Sequence, residues 1–349
     1  MNLSKILIIR FSSIGDIVLA SPLIRSLRNK YPDAQIDFIV RKEYSDLIKF
    51  NPYLTNIIEF DINKGFKELK ELATKINTRA YEIVLDIQNN FRSGFLRRKS
   101  KTKNISVINK RVIPRFLLTN FKINLYRDYV SVADRYLETA KELGITPDGK
   151  GLDVNTPDDI LSFIEKKLSN YNLSKKDFII GVAPSAKHYT KKWLPERYEE
   201  LIVRLIQEYK ARILVFGGKD DKPETNIIVE NVNKIVGNQA VINFTGELSL
   251  LENAAMFDYC NAIITNDTGL MHLAAARKRK IVAIFGPTVK EFGFFPYGTE
   301  NIVVENNNLK CRPCSYHGTS VCPKKHFKCM KGITTDMVYY SIKHILNLS

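Results

Sequence analysis

No apolar run in this 349-residue chain approaches the roughly 18 residues that a membrane-spanning helix needs, which argues against an integral helical membrane protein. The opening residues hold one apolar stretch, Ile6-Leu7-Ile8-Ile9, and Arg10 ends it. That is too short for the core of a secretory signal, so a cytoplasmic protein is expected. No Asp-x-Asp occurs anywhere, so the common carboxylate pair that clamps a divalent metal onto a diphosphate has no support. Tryptophan is limited to Trp193, and the five cysteines are an odd number, which argues against a full disulfide framework. Short internal repeats and low-complexity segments are lacking too.

Acidic residues are also in deficit: 53 Lys and Arg stand against 37 Asp and Glu, for a net charge of +16. Such an excess bears on partners rather than on fold. It fits nucleic acid, an anionic membrane surface or an acidic substrate, and a composition rich in Lys and Asn accounts for part of it. The chain carries no recognisable nucleic-acid module.

What is present is alternation. Short apolar runs at 5–9, 36–40, 56–60 and 83–86 read as strands, separated by helical patterns at 17–27, 43–50 and 67–76. The longest helical pattern, 126–143, stops at Gly144, a residue suited to a helix C-terminus. Residues 147–151, with Pro and two Gly, read as a boundary, and a polar helix follows at 157–170. Strands are expected again at 178–183, 212–216, 241–244, 262–264 and 281–285, with helices at 196–209, 223–236, 249–259 and 270–276. This is an α/β chain of two successive halves, each with a parallel sheet, and a cleft between them is the economical reading.

Three loops sit where strands run into helices, the place where open α/β sheets bind ligands. The first is Arg10-Phe11-Ser12-Ser13-Ile14-Gly15-Asp16, which lacks both the dinucleotide and the P-loop glycine patterns. Asp16 reads either as a helix-starting carboxylate favoured by the dipole or as a general base. The second is Asn266-Asp267-Thr268-Gly269-Leu270-Met271-His272, a helix start whose free N–H groups would suit a diphosphate. Thr268 and His272 are four apart and share a face; a capped helix with a core histidine is the plainer alternative. The third is Thr190-Lys191-Lys192-Trp193-Leu194-Pro195, whose lysines would neutralise a leaving diphosphate unless the loop is simply solvated.

Taken in order, these segments resemble the ADP-heptose:lipopolysaccharide heptosyltransferase family (glycosyltransferase family 9). Arg10 to Asp16 with Ser21-Pro22-Leu23 is similar to its opening motif, Thr190 to Pro195 to its Lys-x-Trp-Pro region, and Thr245-Gly246 to its Thr-Gly loop. Asn266 to Ala275 resembles its most distinctive motif, and Phe285-Gly286-Pro287-Thr288 the turn that follows. The chain departs from the pattern at Pro184-Ser185, where Pro-Gly is frequent, and at Trp193-Leu194-Pro195, where Trp-Pro is usual.

The resemblance implies a GT-B fold: two facing Rossmann-like domains with parallel sheets, here expected as residues 1–165 on the acceptor side and 172–330 for the nucleotide sugar. A C-terminal helix, 331–349, is expected to pack back toward the N-terminal domain. The likeness also implies an inverting, metal-independent transfer of heptose from ADP-heptose to an inner-core lipopolysaccharide acceptor, the alternative being a related transferase with another nucleotide sugar or acceptor. Asp16 is then the base and Lys191 the phosphate-stabilising lysine, helped by Thr190. Asp220, Asp267, Thr268, Gly269 and His272 fall to the donor. Ser13, Gly15, Arg92, Arg97 and Arg98 fall to an acidic, lipid-anchored oligosaccharide acceptor, the three arginines in a basic segment, 92–103, that is otherwise a solvated loop. An anionic membrane surface at the inner face of the inner membrane becomes an expected partner, and nucleic acid does not.

One cluster stands apart. Cys311-x2-Cys314-x7-Cys322-x6-Cys329, with His317 and His326 between, has spacing compatible with a structural zinc site; reduced cysteines packing a loop, or a disulfide or redox role, are the alternatives. No cofactor is expected for the chemistry itself.

Overall fold

The computed structural model describes residues 3–237 and 240–349. In chain order the elements are β1 (Lys5–Ile9), α1 (Ile14–Val18), α2 (Ser21–Lys30), β2 (Gln35–Arg41), α3 (Asp46–Lys49), β3 (Asn56–Phe60), α4 (Gly65–Arg79), β4 (Ile83–Asp86), α5 (Phe91–Lys99), β5 (Asn104–Val107), α6 (Val112–Phe121) and α7 (Val132–Glu138). There follow α8 (Asp158–Ser169), β6 (Ile179–Ala183), α9 (Pro195–Tyr209), β7 (Arg212–Val215), α10 (Lys222–Val236), β8 (Val241–Asn243), α11 (Leu250–Phe257), β9 (Ala262–Asn266), α12 (Gly269–Ala276), β10 (Lys280–Phe285), β11 (Asn301–Glu305), α13 (Lys328–Lys331) and α14 (Thr335–Leu346).

The chain divides into two compact units, Met1–Val112 with Val130–Asn155, and Ile113–Tyr129 with Thr156–Ser349. The first is built on a parallel sheet of order β3-β2-β1-β4-β5, the second on one of order β11-β10-β9-β6-β7-β8. Each order reverses once, between β1 and β4 and between β6 and β9. Connections leave in opposite directions at those points, opening a crevice at the carboxyl ends of the strands. The interiors of the central strands β1, β2, β4, β6, β9 and β10 are buried on both faces, as near-continuous apolar runs such as Ile6 to Ile9 and Ile281 to Phe285 require.

Several expectations need correction. The helix expected over 17–27 is two helices, because Pro22 has no N–H to offer the carbonyl four residues back; Ser21 Oγ bonds that Val18 carbonyl instead, at 2.7 Å. The pattern at 126–143 is helical only at Val132–Glu138, with a short turn at Lys141–Leu143. Ser131 caps that helix through the Asp134 N–H, so the residues before it lie outside. Gly144 does take the left-handed conformation, with φ 66°.

The domain limits also move. Arg25, buried on α2, holds Asp148, Asp153 and the Gly151 carbonyl, which fastens the expected boundary stretch to the first unit. The helix α8 instead packs against α11, and the second unit, which already holds Ile113–Tyr129, resumes at residue 156. The C-terminal helix α14 packs on α9, β10 and β11 of the second unit. Its Val338, Tyr339, Ile342 and Ile345 form one apolar stripe inside that unit's core.

Candidate active site

In the first unit, the loop after β1 meets the loop after β4 at the reversal point. Gln88 Oε1 accepts from the N–H groups of Phe11 at 2.9 Å and Ser12 at 3.3 Å. The Gln88 loop is itself turned by the fully buried Asp86, whose Oδ1 accepts from the N–H groups of Gln88 and Asn89 at 2.9 and 2.7 Å. Asp16 is thereby set in the first turn of α1. Its Oδ2 accepts from Ser13 N–H and Oγ at 3.1 and 3.0 Å, while Oδ1 meets Arg10 at 2.6 Å and accepts from the Tyr136 hydroxyl at 3.1 Å. Arg10 also donates to the Ile87 carbonyl at 2.7 Å and lies over the Tyr136 ring. Burial works to raise the Asp16 pKa, but the Arg10 charge and the Ser13 bonds outweigh it, so the carboxyl is held below its ordinary range. Asp16 therefore both starts the helix and presents an ionised carboxylate at neutral pH.

Of the residues expected to meet an acceptor, Ser13 is exposed and Gly15 is buried in α1. Arg92 and Arg98 are exposed on α5, which the segment 92–103 forms in its first half rather than a loop. The helix is announced by Asn90 and Ser93, which cap each other reciprocally. Arg92 borders a cavity of about 400 Å³ with Phe60, Phe66, Leu69, Asn90 and Phe91. The Arg97 guanidinium is engaged by buried Asp86 Oδ2 at 3.0 Å and Asn89 at 3.4 Å, so it braces the β4 loop.

In the second unit the reversal point brings together the ends of β6 and β9. Asn266, fully buried, ties them: its side chain donates to the Pro184 carbonyl and accepts from Trp193 N–H at 3.2 Å. Trp193 is buried edge-on against Tyr198, and its ring N–H donates to the Ile333 carbonyl at 2.9 Å. So pinned, the loop sets Lys191 Nζ 2.7 Å from Asp267 Oδ2, which also accepts from Thr288 Oγ1 at 2.8 Å. Next to this pair α12 begins. Its N-cap residue Thr268 makes no side-chain capping bond, so Gly269 and the following N–H groups form a donor-rich helix start. His272, one turn on, is buried beside Phe294.

Two expectations shift here. Thr190 is buried and its hydroxyl is engaged by the Thr319 backbone, donating to O at 3.0 Å and accepting from N at 2.8 Å, so it braces the Lys191 turn and does not present to a ligand. Asp220 is exposed at the end of β7, and its neighbour Asp221 is the one that folds back, onto Gly218 N–H. Close by, Gly246 has φ +73° and a Cβ there would meet the Lys219 backbone at 3.0 Å, so only glycine fits the Thr-Gly loop.

The residue-type reading missed Arg10 as a partner, Tyr136, Gln88 and Asn266, all of which act on chain segments far away in sequence. It also missed the Ser185 and Thr245 hydroxyls, at the ends of β6 and β8, which are buried without a partner among the described residues. Such a group costs free energy unless something else completes it.

The four C-terminal cysteines lie on the stretch after β11. Cys311 Sγ is 3.8 Å from His326 Nε2. Burial pushes the Cys314 thiol up and the Cys329 thiol to about 11, which keeps both protonated at neutral pH. Among the described residues no three His, Cys, Asp or Glu side chains are gathered closely enough to hold a metal ion.

The sequence pattern of glycosyltransferase family 9 (heptosyltransferase) matches residues 69–325. Lipopolysaccharide heptosyltransferase 2 of Salmonella typhimurium is 30% identical over 298 residues, 82% of this chain and 84% of that protein. Lipooligosaccharide heptosyltransferase 2 of Campylobacter jejuni serotype O:2 is 28% identical over 342 residues, 96% of each. The structure of the E. coli ADP-heptose lps heptosyltransferase II superposes with a TM-score of 0.75 at 24% identity over 98% of both chains, a likeness of fold that fits the GT-B class.

Proposed function

The chain belongs to glycosyltransferase family 9, the heptosyltransferases, and is a sugar transferase; from that premise we propose that it moves a heptose from ADP-heptose to an inner-core lipopolysaccharide acceptor, with inversion and without a metal. The observation that carries the reading is the Lys191–Asp267 pair beside the uncapped start of α12 at the strand-order reversal. A cation and a row of N–H groups at one point are what a leaving diphosphate needs in place of a divalent ion. The names of the relatives supply the sugar and the acceptor class.

The acceptor hydroxyl oxygen attacks the anomeric carbon, forming the new C–O bond as the bond to the diphosphate oxygen breaks. The hydroxyl proton passes to Asp16, and ADP leaves with the bonding electron pair. Arg10, Ser13 and Tyr136 hold the carboxylate in one orientation. Lys191 and the first N–H groups of α12 take the charge that develops on the diphosphate. Ser185 and Thr245, with hydroxyls lacking partners among the described residues, are donor contacts on this reading, and Asp220 and His272 stand in the same loop set. Arg92 and Arg98 meet the acidic acceptor. Because that acceptor is lipid-anchored, the protein works at the cytoplasmic face of the inner membrane, drawn there by its positive charge.

A structural zinc on Cys311, Cys314, Cys322 and Cys329 would require these side chains to gather from the places they hold among the described residues, so reduced thiols are the favoured reading. Metal analysis decides between it and reduced thiols: about one zinc per chain for the former, none for the latter.

The test is transfer by the purified chain from ADP-heptose to heptose-deficient lipopolysaccharide in excess chelator. The expected result is ADP release and a product of opposite anomeric configuration. Retention, or loss of activity restored by a divalent ion, contradicts the mechanism. Turnover with a different nucleotide sugar alone assigns the chain to the related-transferase alternative.

A further inference from the structure

The helix α6 wears its apolar side outward. With about 3.6 residues per turn, Val112, Ile113, Phe116, Leu117 and Phe121 fall on one half of the helix, and Pro114 and Leu118 on the other. Leu118 is buried, whereas Ile113 is 70% exposed, Phe116 55% and Phe121 62%. The row continues past the helix, with Ile123 and Leu125 about half exposed. This is the reverse of a helix docked on a core, whose apolar stripe faces inward.

The segment is nevertheless fixed in place by its underside. Lys122 Nζ donates to the carbonyls of Thr119 at 2.6 Å and Pro313 at 2.5 Å, Arg115 lies over the Tyr316 ring at 4.1 Å, and Asn124 donates to Glu291 at 3.2 Å. An apolar face held toward solvent marks an interaction surface. Its surroundings say which kind. Between residues 110 and 129 stand Lys110, Arg111, Arg115, Lys122 and Arg127 against Asp128 alone. A second copy docking by the same patch would set these like charges against each other. An anionic bilayer matches both features, taking the aromatic and branched side chains into its acyl boundary while the net positive charge of the segment, with Arg115 and Lys122 held on the underside and Arg111 paired with Glu138, is drawn to its phosphates.

We propose that residues 112–125 are a membrane-interface anchor that lies in the headgroup layer of an anionic bilayer. The inference rests on the membrane reading given above and narrows it to one element, distinct from the basic face of α5.

The experiment is co-sedimentation of the full chain with vesicles of phosphatidylglycerol and phosphatidylethanolamine, and with phosphatidylcholine alone. The triple variant Ile113→Ser, Phe116→Ser, Phe121→Ser replaces exposed side chains only, and its melting curve should match the wild type. Its partitioning onto the anionic vesicles should fall at least about tenfold, given the apolar area withdrawn from the bilayer, with transfer to a soluble acceptor unchanged. Undiminished binding by the variant overturns the anchor while leaving the membrane reading intact. No vesicle binding by the wild type overturns both. Equal binding to phosphatidylcholine overturns the anionic preference, and a wild-type dimer that the variant converts to monomer assigns the face to self-association instead.

Discussion

The two strand-end sites are built alike and charged differently. In the first unit Asp16 is a single acceptor ringed by donors from Arg10, Ser13 and Tyr136. In the second unit donors are in excess: Lys191 has one acceptor in Asp267, beside it lies an uncapped helix start, and at the ends of β6 and β8 the hydroxyls of Ser185 and Thr245 are buried with no partner among the described residues. A carboxylate satisfied from within keeps its orientation and its charge, the requirements for receiving a proton. Donors in excess of acceptors fit a ligand that brings its own negative charge. On the proposed function, the same architecture separates proton acceptance from anion stabilisation.

The comparison can be broken at either end. Asp16→Asn should cause the largest loss, lowering kcat by roughly 10²–10⁴-fold, measured with saturating donor. Trp193→Ala removes the side chain that pins the Lys191 loop and should cost about 3–5 kcal/mol of stability, read by denaturant unfolding. Lys191→Ala should weaken donor binding by about 1.5–3 kcal/mol, the range for a charged hydrogen bond.

The pH profile sharpens the contrast. The Asp16 pKa is depressed in the folded chain, so its contribution to stability is present above the ordinary carboxylate range and is lost as pH falls through the folded value. Activity should follow the same acid limb. Arg10→Met removes the main opposing charge, so that limb should move to higher pH. Tyr136→Phe removes one hydrogen bond, worth about 0.5–1.5 kcal/mol, and should move it less. An unmoved limb in both variants would detach Asp16 from the profile. Smallest of all, Arg98→Glu should raise acceptor KM only a few-fold, and less at high salt, since the charge is exposed.

Much of the fold was legible because the central strands of both sheets are buried on two faces, so strands such as Lys5–Ile9 and Ile179–Ala183 appear as near-continuous apolar runs. Where the reading failed, a competing local effect had won. Pro22 split α2 from α1, Ser131 started α7 late, and the Asn90–Ser93 cap turned a basic stretch into a helix. Asp16, Lys191 and Asp267 were legible from their place after strands. Their partners were not, because Tyr136 lies 120 residues from Asp16 and Asn266 lies 73 from Trp193. Nor could Arg97 be told from Arg98 by composition; only the buried Asp86 separates them.

The central claim is a division of labour, and one paired measurement tests it: donor dissociation constant by calorimetry together with single-turnover transfer rate, for Asp16→Asn and Lys191→Ala. The expected outcome is that the Asp16 variant binds ADP-heptose as the wild type does yet transfers almost nothing, while the Lys191 variant loses donor affinity. An Asp16 variant that transfers at the wild-type rate, or that loses donor binding in proportion to its rate, would contradict it.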